Sequence, residues 1–386
     1  MDNAIGDRAL NALVSAFGNR PASIGQAPGR VELVGNHTDY NGGFVLTCAV
    51  NLYTAVAIVP NGTLITNLTS NNVSFQDASV CIRAGATALT DQNRWTGYVC
   101  GVMNQLEIGV DEGWDIAIVS DVPDGSGISS SAAILVATAC AFLAFLRLEM
   151  EPMEIAKLCR DAENGAWVGA PVGLLDQFSS ACGKLGQAMF LDCKSHTWSY
   201  VPLPGEMAEV VIFNTNVKHS LASGSGYKTR RDECEAGARQ LSADRTSLLR
   251  DVTHTEYLAG WSTLPVLTRD RVEHVFSENQ RVLNGLAALQ NRDMQSFGDI
   301  LNKSHESCKQ KFGNTCHEID RLQSIVTSCL GTYGAKLSGG GWGGSVIAIT
   351  QPSRTQAVIE SVHKAYGTGL SVITTTAAEG ATGWRV

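Results

Sequence analysis

Between Asp121 and Leu146 the chain reads DVPDGSGISSSAAILVATACAFLAFL, a turn-rich loop of glycine and serine running directly into an apolar helix. Ahead of it, Asp115 to Ser120 alternates polar and apolar residues as a strand does. This order of strand, loop and helix constrains the fold more than any other feature. The first turn of a helix leaves backbone N–H groups unsatisfied and carries the positive end of the helix dipole, and the small residues of Asp124–Ala133 let an anion approach it. The bland alternative is a plain turn with a serine N-cap. Three serines directly ahead of an apolar helix favour the anion site.

At 386 residues the chain is long enough for two or three domains of ordinary size, and two is the working count, 1–190 and 191–386 with a soft boundary. Phe44–Ala49 and Leu52–Val59 read as buried strands joined by a short turn at Val50-Asn51, and Pro152–Trp167 as a helix opened by a favourable N-terminal proline. The second half alternates a strand at Val210–Asn214, helices at Glu278–Leu289 and Glu318–Leu330, a strand at Ser345–Thr350, a helix near Gln356–Tyr366 and a β-like run at Leu370–Thr376. Such a pattern predicts an α+β architecture rather than a doubly wound sheet.

Charge and composition narrow the partners. A net charge of −8 argues against a basic surface that binds nucleic acid by releasing phosphate counterions. Met1–Arg20 lacks a basic region followed by an apolar one, so no secretory signal is expected. Ala132–Leu146 is shorter than the roughly 20 residues of a membrane span, which leaves no expected membrane partner. The eleven cysteines are dispersed, as reduced thiols in a cytoplasmic protein would be. Cys308, Cys316, His317 and His305 cluster without the spacing of a zinc site, and the Asn67 and Asn72 sequons are read as chance matches.

Familiar nucleotide motifs are missing. Gly183-Lys184 is followed by Leu185, which rules out a Walker A loop, and the run after Gly339–Gly344 is strand-like, which rules out a dinucleotide fingerprint. Ala27–Leu46, APGRVELVGNHTDYNGGFVL, sets Arg30, Asn36, His37, Asp39, Tyr40 and Asn41 between glycines and an apolar strand. That density of short polar groups suits a hydrogen-bonding site for a polyol better than a core or a solvated loop.

Three segments in order resemble the galactokinases of the GHMP sugar-kinase superfamily. Ala27–Gly43 is similar to their signature GRVNLIGEHTDYNGG, Val122–Ala133 to the superfamily phosphate loop, and Lys336–Ile349, KLSGGGWGGSVIAI, to its third motif. Ala162–Phe178 and Asn216–Cys234 resemble two further blocks. The resemblance implies a two-lobed fold with the active site in the cleft between lobes. It also implies transfer of the γ-phosphoryl group of MgATP to the C1 hydroxyl of D-galactose by a monomer or weak homodimer. By that resemblance Asp176 is the catalytic carboxylate and Arg30 its cationic partner. Asn36, His37, Asp39, Gly173 and Tyr227 stand at sugar-contacting positions, and Gly125, Ser126, Gly127, Ser129, Ser130 and Ser131 at ATP-binding ones. Ser131 and Glu163 match the magnesium-holding pair.

Two departures bear on specificity. Asn36 replaces the usual glutamate, which in the family contacts the C6 hydroxyl, and Glu32 replaces the usual asparagine, so the exchange looks reciprocal. A neutral Asn36 would admit a C6 carboxylate, and Asn36→Glu is then expected to lower activity on galacturonate more than on galactose. A galacturonate 1-kinase and an N-acetylgalactosamine 1-kinase are therefore alternatives. A non-catalytic galactose and ATP sensor is the alternative of another class. Complete Ser129–Ala133 argues against the sensor, because such relatives lose phosphate-loop residues. The stretches Glu163–Asp176 and Ala222–Gly226 are each one residue longer than usual.

Overall fold

The structure, a computed structural model, describes residues 4–18, 22–72, 75, 77–80, 91–108, 111–217 and 225–386. The block Asn216–Cys234 lies partly outside these residues, as does the extra residue within 222–226. In chain order the elements are α1 (Ala4–Phe17), β1 (Ser23–Val34), β2 (Phe44–Pro60), β3 (Thr66–Ser70), β4 (Ala78–Val80), α2 (Gly97–Gln105), β5 (Trp114–Ser120), α3 (Ser130–Leu146), α4 (Pro152–Asn164), α5 (Leu175–Ala181), β6 (Gln187–Asp192), β7 (Thr197–Pro202) and β8 (Glu209–Asn214). There follow α6 (Ser225–Leu241), α7 (His254–Gly260), α8 (Val266–Gln290), α9 (Met294–Ser307), α10 (His317–Ser328), β9 (Thr332–Ser338), β10 (Ser345–Thr350), α11 (Thr355–Tyr366), β11 (Ser371–Thr375) and β12 (Thr382–Arg385).

Among the described residues the strands form two sheets. The first has eight strands in the order β12-β1-β2-β5-β3-β4, with β6 on β2 and β7 on β6. Only β3 and β5 pair in parallel. The second has four antiparallel strands, β11-β8-β10-β9. Such sheets match the α+β expectation and exclude double winding.

The alternation of β2 shows why the first sheet is a sandwich layer. Ala55, Ala57 and Val59 point to α1, while Val56 and Ile58 point to the α3 side. Val56, Ile58 and Val59, each buried, contribute about 1.5–3 kcal/mol apiece, and the two alanines less. Helix α3 is apolar on every face and buried against β1 and β2 on one side and α2, α4 and α5 on the other. Gly25 permits its close approach: a Cβ there would lie 2.0 Å from the Ala137 carbonyl oxygen. That contact brings the α3 N-terminus close to β1.

Val50-Asn51 is not a turn. β2 is one strand of 17 residues, and its register on β1 shifts between Ala49 and Tyr53, so the two residues sit in a bulge. Val50 bridges Ala377 and Asn51 bonds the Thr375 hydroxyl, which replace the lost ladder partners. The helix expected to reach Trp167 stops at Asn164, where Gly165 turns extended. The helix at Glu278–Leu289 begins three turns earlier, at Val266.

The second sheet is buried on both faces. Val211, Phe213, Val346 and Ala348 pack under α10 and α11. Ile212, Ile347 and Ile349 share one core with Val31, Leu33 and Leu46 of the first sheet and with Val282, Phe297 and Leu301 of α8 and α9. Residue 190 falls inside β6, and β12 returns to the first sheet beside β1.

Candidate active site

A cavity opens where the end of β1, the loop after it, the loop before α5 and the β9–β10 loop meet. Its walls are Arg30, Glu32, Asn36, His37, Asp39, Val172, Gly173, Leu175, Asp176, Tyr227, Gly339 and Gly340. The two residues with expected catalytic roles and all five with expected sugar contacts are thus brought together.

Arg30 and Asp176 touch across 146 residues of sequence: Nε and NH2 of Arg30 donate to Oδ1 of Asp176 at 2.8 and 2.6 Å. The third donor, NH1, goes to the Gly127 carbonyl at 2.8 Å. Arg30 is buried, while the Asp176 side chain keeps 29% exposure toward the cavity. Asp176 lies in the first turn of α5, which is fastened to β1 and β2 by Ser180 donating to the Pro28 carbonyl and by the Ser179–Thr47 hydroxyl pair.

Gly125, Gly127 and Ser129 all take left-handed backbone conformations in the loop ahead of α3. The loop is held to β1 by Arg30 N–H on the Ile128 carbonyl, and to β10 by Ser345 on the Ser126 carbonyl. Ser126 is buried with its hydroxyl on the Pro123 carbonyl, and Ser130 reaches Asp124 at 3.4 Å. Those partners leave Ser126 as a brace of the loop. The Ser129 hydroxyl points to Asp176 at 2.6 Å instead of capping α3. Ser131 lies near the buried Glu163 carboxylate, which accepts from the Gln177 amide.

Two carboxylates here hold their protons unusually well. Burial, and then the charge of Asp176, push both Asp39 and Glu163 up to about 7. Their values in the unfolded chain are near 4, so between about pH 4 and 7 the folded protein binds more protons and loses stability as pH rises. The loss is complete above about 7. Asp39→Asn is expected to flatten that decline, read as urea midpoints at pH 5 and pH 8. An unchanged difference would show that Asp39 is already ionised at pH 5. Gly173 is required beside Asp39, since a Cβ there would lie 1.8 Å from its carboxylate oxygen.

Asn36 lines the cavity but has no free hydrogen-bonding capacity. Nδ2 donates to Glu32 at 3.0 Å and to the Gly339 carbonyl at 2.9 Å. Oδ1 accepts from Asn314 at 2.8 Å and Cys308 at 3.3 Å. The expectation that Asn36 presents a free amide to the sugar is therefore corrected: the neighbouring carboxylate is the group with spare acceptors. Glu32 takes Lys336 on its other oxygen at 2.7 Å, deep in the wall. His37 is likewise committed, Nε2 donating to Gly340 and Nδ1 accepting from Tyr40, and burial lowers it to about 3, so it stays neutral. Tyr227 packs on both His37 and Tyr40.

Helix α8 supplies groups that the sequence did not reveal. Glu278, fully buried, accepts the backbone N–H groups of Gly35 and Asn36 and the Ser304 hydroxyl, and pairs with Arg281. Burial alone would push its carboxyl up, but Arg281, His274 and Lys336 outweigh it and hold the group down at about 2. His274 donates to the Asn36 carbonyl, and Asn279 accepts from Phe44 N–H. The loop that carries His37 and Asp39 is thus fastened at both ends from the second half of the chain. Its only sequence sign is a carboxylate and a histidine four residues apart.

Residues 11–60 match the galactokinase galactose-binding signature, 97–184 the GHMP kinases N terminal domain and 286–368 the GHMP kinases C terminal domain. A galactokinase of Roseiflexus sp. (strain RS-1) is 36% identical over 355 residues, covering 91% of this chain and 89% of that one. Among solved structures, Lactococcus lactis galactokinase complexed with galactose aligns at a TM-score of 0.88 and 26% identity, over 97% of this chain and 98% of that one. Methanococcus jannaschii mevalonate kinase, at 18% identity and a TM-score of 0.66 over 92% and 98%, shares the fold.

Proposed function

The chain belongs to the galactokinase family of GHMP kinases, and from that premise we propose that it phosphorylates D-galactose at the C1 hydroxyl, with Asp176 and Arg30 at the reacting oxygen. It is an ATP-dependent sugar kinase. The observation that carries the finer reading is the Arg30–Asp176 contact, because it joins the cavity wall to the phosphate loop through Gly127 and Ser129. A sugar in this cavity would meet a carboxylate able to accept its hydroxyl proton and a guanidinium able to offset charge on the transferring phosphoryl group.

Magnesium is proposed at Ser131 and Glu163. Ser131 in the first turn of α3 and Glu163 in the last turn of α4 are neighbouring oxygen donors, which suits a hard cation that shares its shell with phosphate oxygens and water. When bound it would neutralise charge on the phosphates. Among the described residues no cluster of three or more His, Cys, Asp or Glu could hold a metal alone. The site thus needs the nucleotide to complete it. Gly125, Ser126, Gly127 and Ser130 remain proposed nucleotide contacts at the same loop, and His37, Asp39, Gly173 and Tyr227 proposed sugar contacts.

Geometry favours galactose over galacturonate. Glu32, Asp39 and Asp176 all line the cavity, and Arg30, its one cationic wall residue among those described, is committed to Asp176 and Gly127. The carboxylate of galacturonate would add to these acidic groups and find no free cation among the described wall residues. Cytoplasmic action belongs to the same proposal, supported by ten free cysteines among the described residues, eight of them buried, and a monomer or weak homodimer is proposed with it. No described helix is long and apolar enough to cross a membrane.

Phosphorus NMR of the product, with ADP release measured in parallel, tests the reading. A single anomeric phosphate is expected with galactose. Phosphate on C6, or binding of both substrates without ADP release, would overturn it.

A further inference from the structure

We infer that Ser129 is a positioning residue for Asp176, coupling the phosphate loop to the catalytic carboxylate, rather than a direct contact to the nucleotide. Three observations converge. Ser129 is a non-glycine residue held in the left-handed region, φ 62° and ψ 55°, a conformation that L residues adopt at a cost and that recurs where function over-determines the backbone. It is the N-cap of α3, where a serine hydroxyl ordinarily accepts from a backbone N–H of the first turn, yet it makes no such bond. Its hydroxyl instead donates to Oδ2 of Asp176 at 2.6 Å.

The strain and the forgone cap share one outcome. Arg30 occupies Oδ1 of Asp176 from β1, and Ser129 occupies Oδ2 from the loop, so the carboxylate plane is fixed from two sides. Ser129 also gives its carbonyl to Ala133 N–H in the first turn of α3, and its neighbour Ile128 gives a carbonyl to Arg30 N–H. One residue therefore connects the helix terminus, the loop and the carboxylate. A carboxylate so held needs no reorientation when the sugar arrives. Sequence alone assigns all three serines to phosphate, because the backbone angle that turns Ser129 away from its own helix is not visible there.

Ser129→Gly is the clean test. Glycine adopts the left-handed conformation without steric cost, so the variant removes the hydroxyl without backbone strain. We expect kcat to fall by roughly 10- to 100-fold, the scale seen when a group orienting an active-site ligand is lost. KM for ATP and for galactose should each stay within about threefold, since neither is proposed to touch the hydroxyl. Ser129→Asn, which tolerates the same backbone region and carries an amide donor, should recover part of kcat.

A tenfold or greater rise in KM for ATP at unchanged kcat would make Ser129 a nucleotide contact. A lowered Tm with kcat intact would make its role structural. Either result overturns the proposal. It rests on Asp176 as the catalytic carboxylate, so Asp176→Asn is assayed alongside. An active Asp176→Asn defeats that underlying reading, whereas an inactive Asp176→Asn beside a fully active Ser129→Gly defeats only the positioning role.

Discussion

Asp176→Ala is expected to leave only a trace of galactose phosphorylation, a fall of roughly 10³-fold in kcat/KM, or about 4 kcal/mol of transition-state stabilisation. ATP binding should survive. The carboxylate faces the sugar cavity and reaches the phosphate loop only through Ser129 and Arg30, so the nucleotide loses no direct contact. Some loss of stability must be separated from the loss of chemistry. Arg30 is buried and would keep its charge without a partner. Because the Asp176 side chain is 29% exposed, the penalty should fall below the roughly 3–5 kcal/mol of breaking a fully buried pair. Asp176→Asn keeps the shape and one acceptor, and should be as inactive but better folded. Calorimetric ATP titration and single-turnover assays of both variants make the distinction. Turnover near normal in either would remove Asp176 from the chemistry.

Much of this architecture was legible because it is local. The β-branched run bounds β10 at Ser345–Thr350, and the apolar stretch Ala132–Leu146 marks the end of α3, which begins two residues earlier at Ser130. The bulge in β2 was not legible, since its two halves pair with β6 and β5, strands far along the chain, and a polar Asn51 between apolar runs looks like a turn. The pairing of Arg30 with Asp176 came only through family resemblance. No periodicity connects residues 146 apart. Glu278 shows the limit most plainly, because a carboxylate on a charged helix is read as solvated until the backbone N–H groups of Gly35 and Asn36 are found beside it.

The other large effect is expected at Asn36, for a reason that differs from the sequence-based one. Asn36→Glu removes both Nδ2 donors, sets a carboxylate against Glu32 and the Gly339 carbonyl, and adds a methylene to a wall that is 1% exposed. Two adjacent buried carboxylates cannot both ionise cheaply, and Lys336 already serves Glu32. The substitution should destabilise the protein by about 3–5 kcal/mol and lower activity on galactose and galacturonate alike. Exchanging both residues, Glu32→Asn with Asn36→Glu, restores one carboxylate and one amide to the same wall within reach of Lys336. The pair should then be non-additive, the double variant recovering about 2 kcal/mol over the sum of the single ones. Urea unfolding of the four proteins closes the cycle, and kcat/KM for the two sugars in each shows which residue sets the preference. Additive singles would mean that Glu32 and Asn36 act independently. A galacturonate-to-galactose ratio that shifts with Asn36 alone would return sugar recognition to that amide and overturn the assignment of the free acceptors to Glu32.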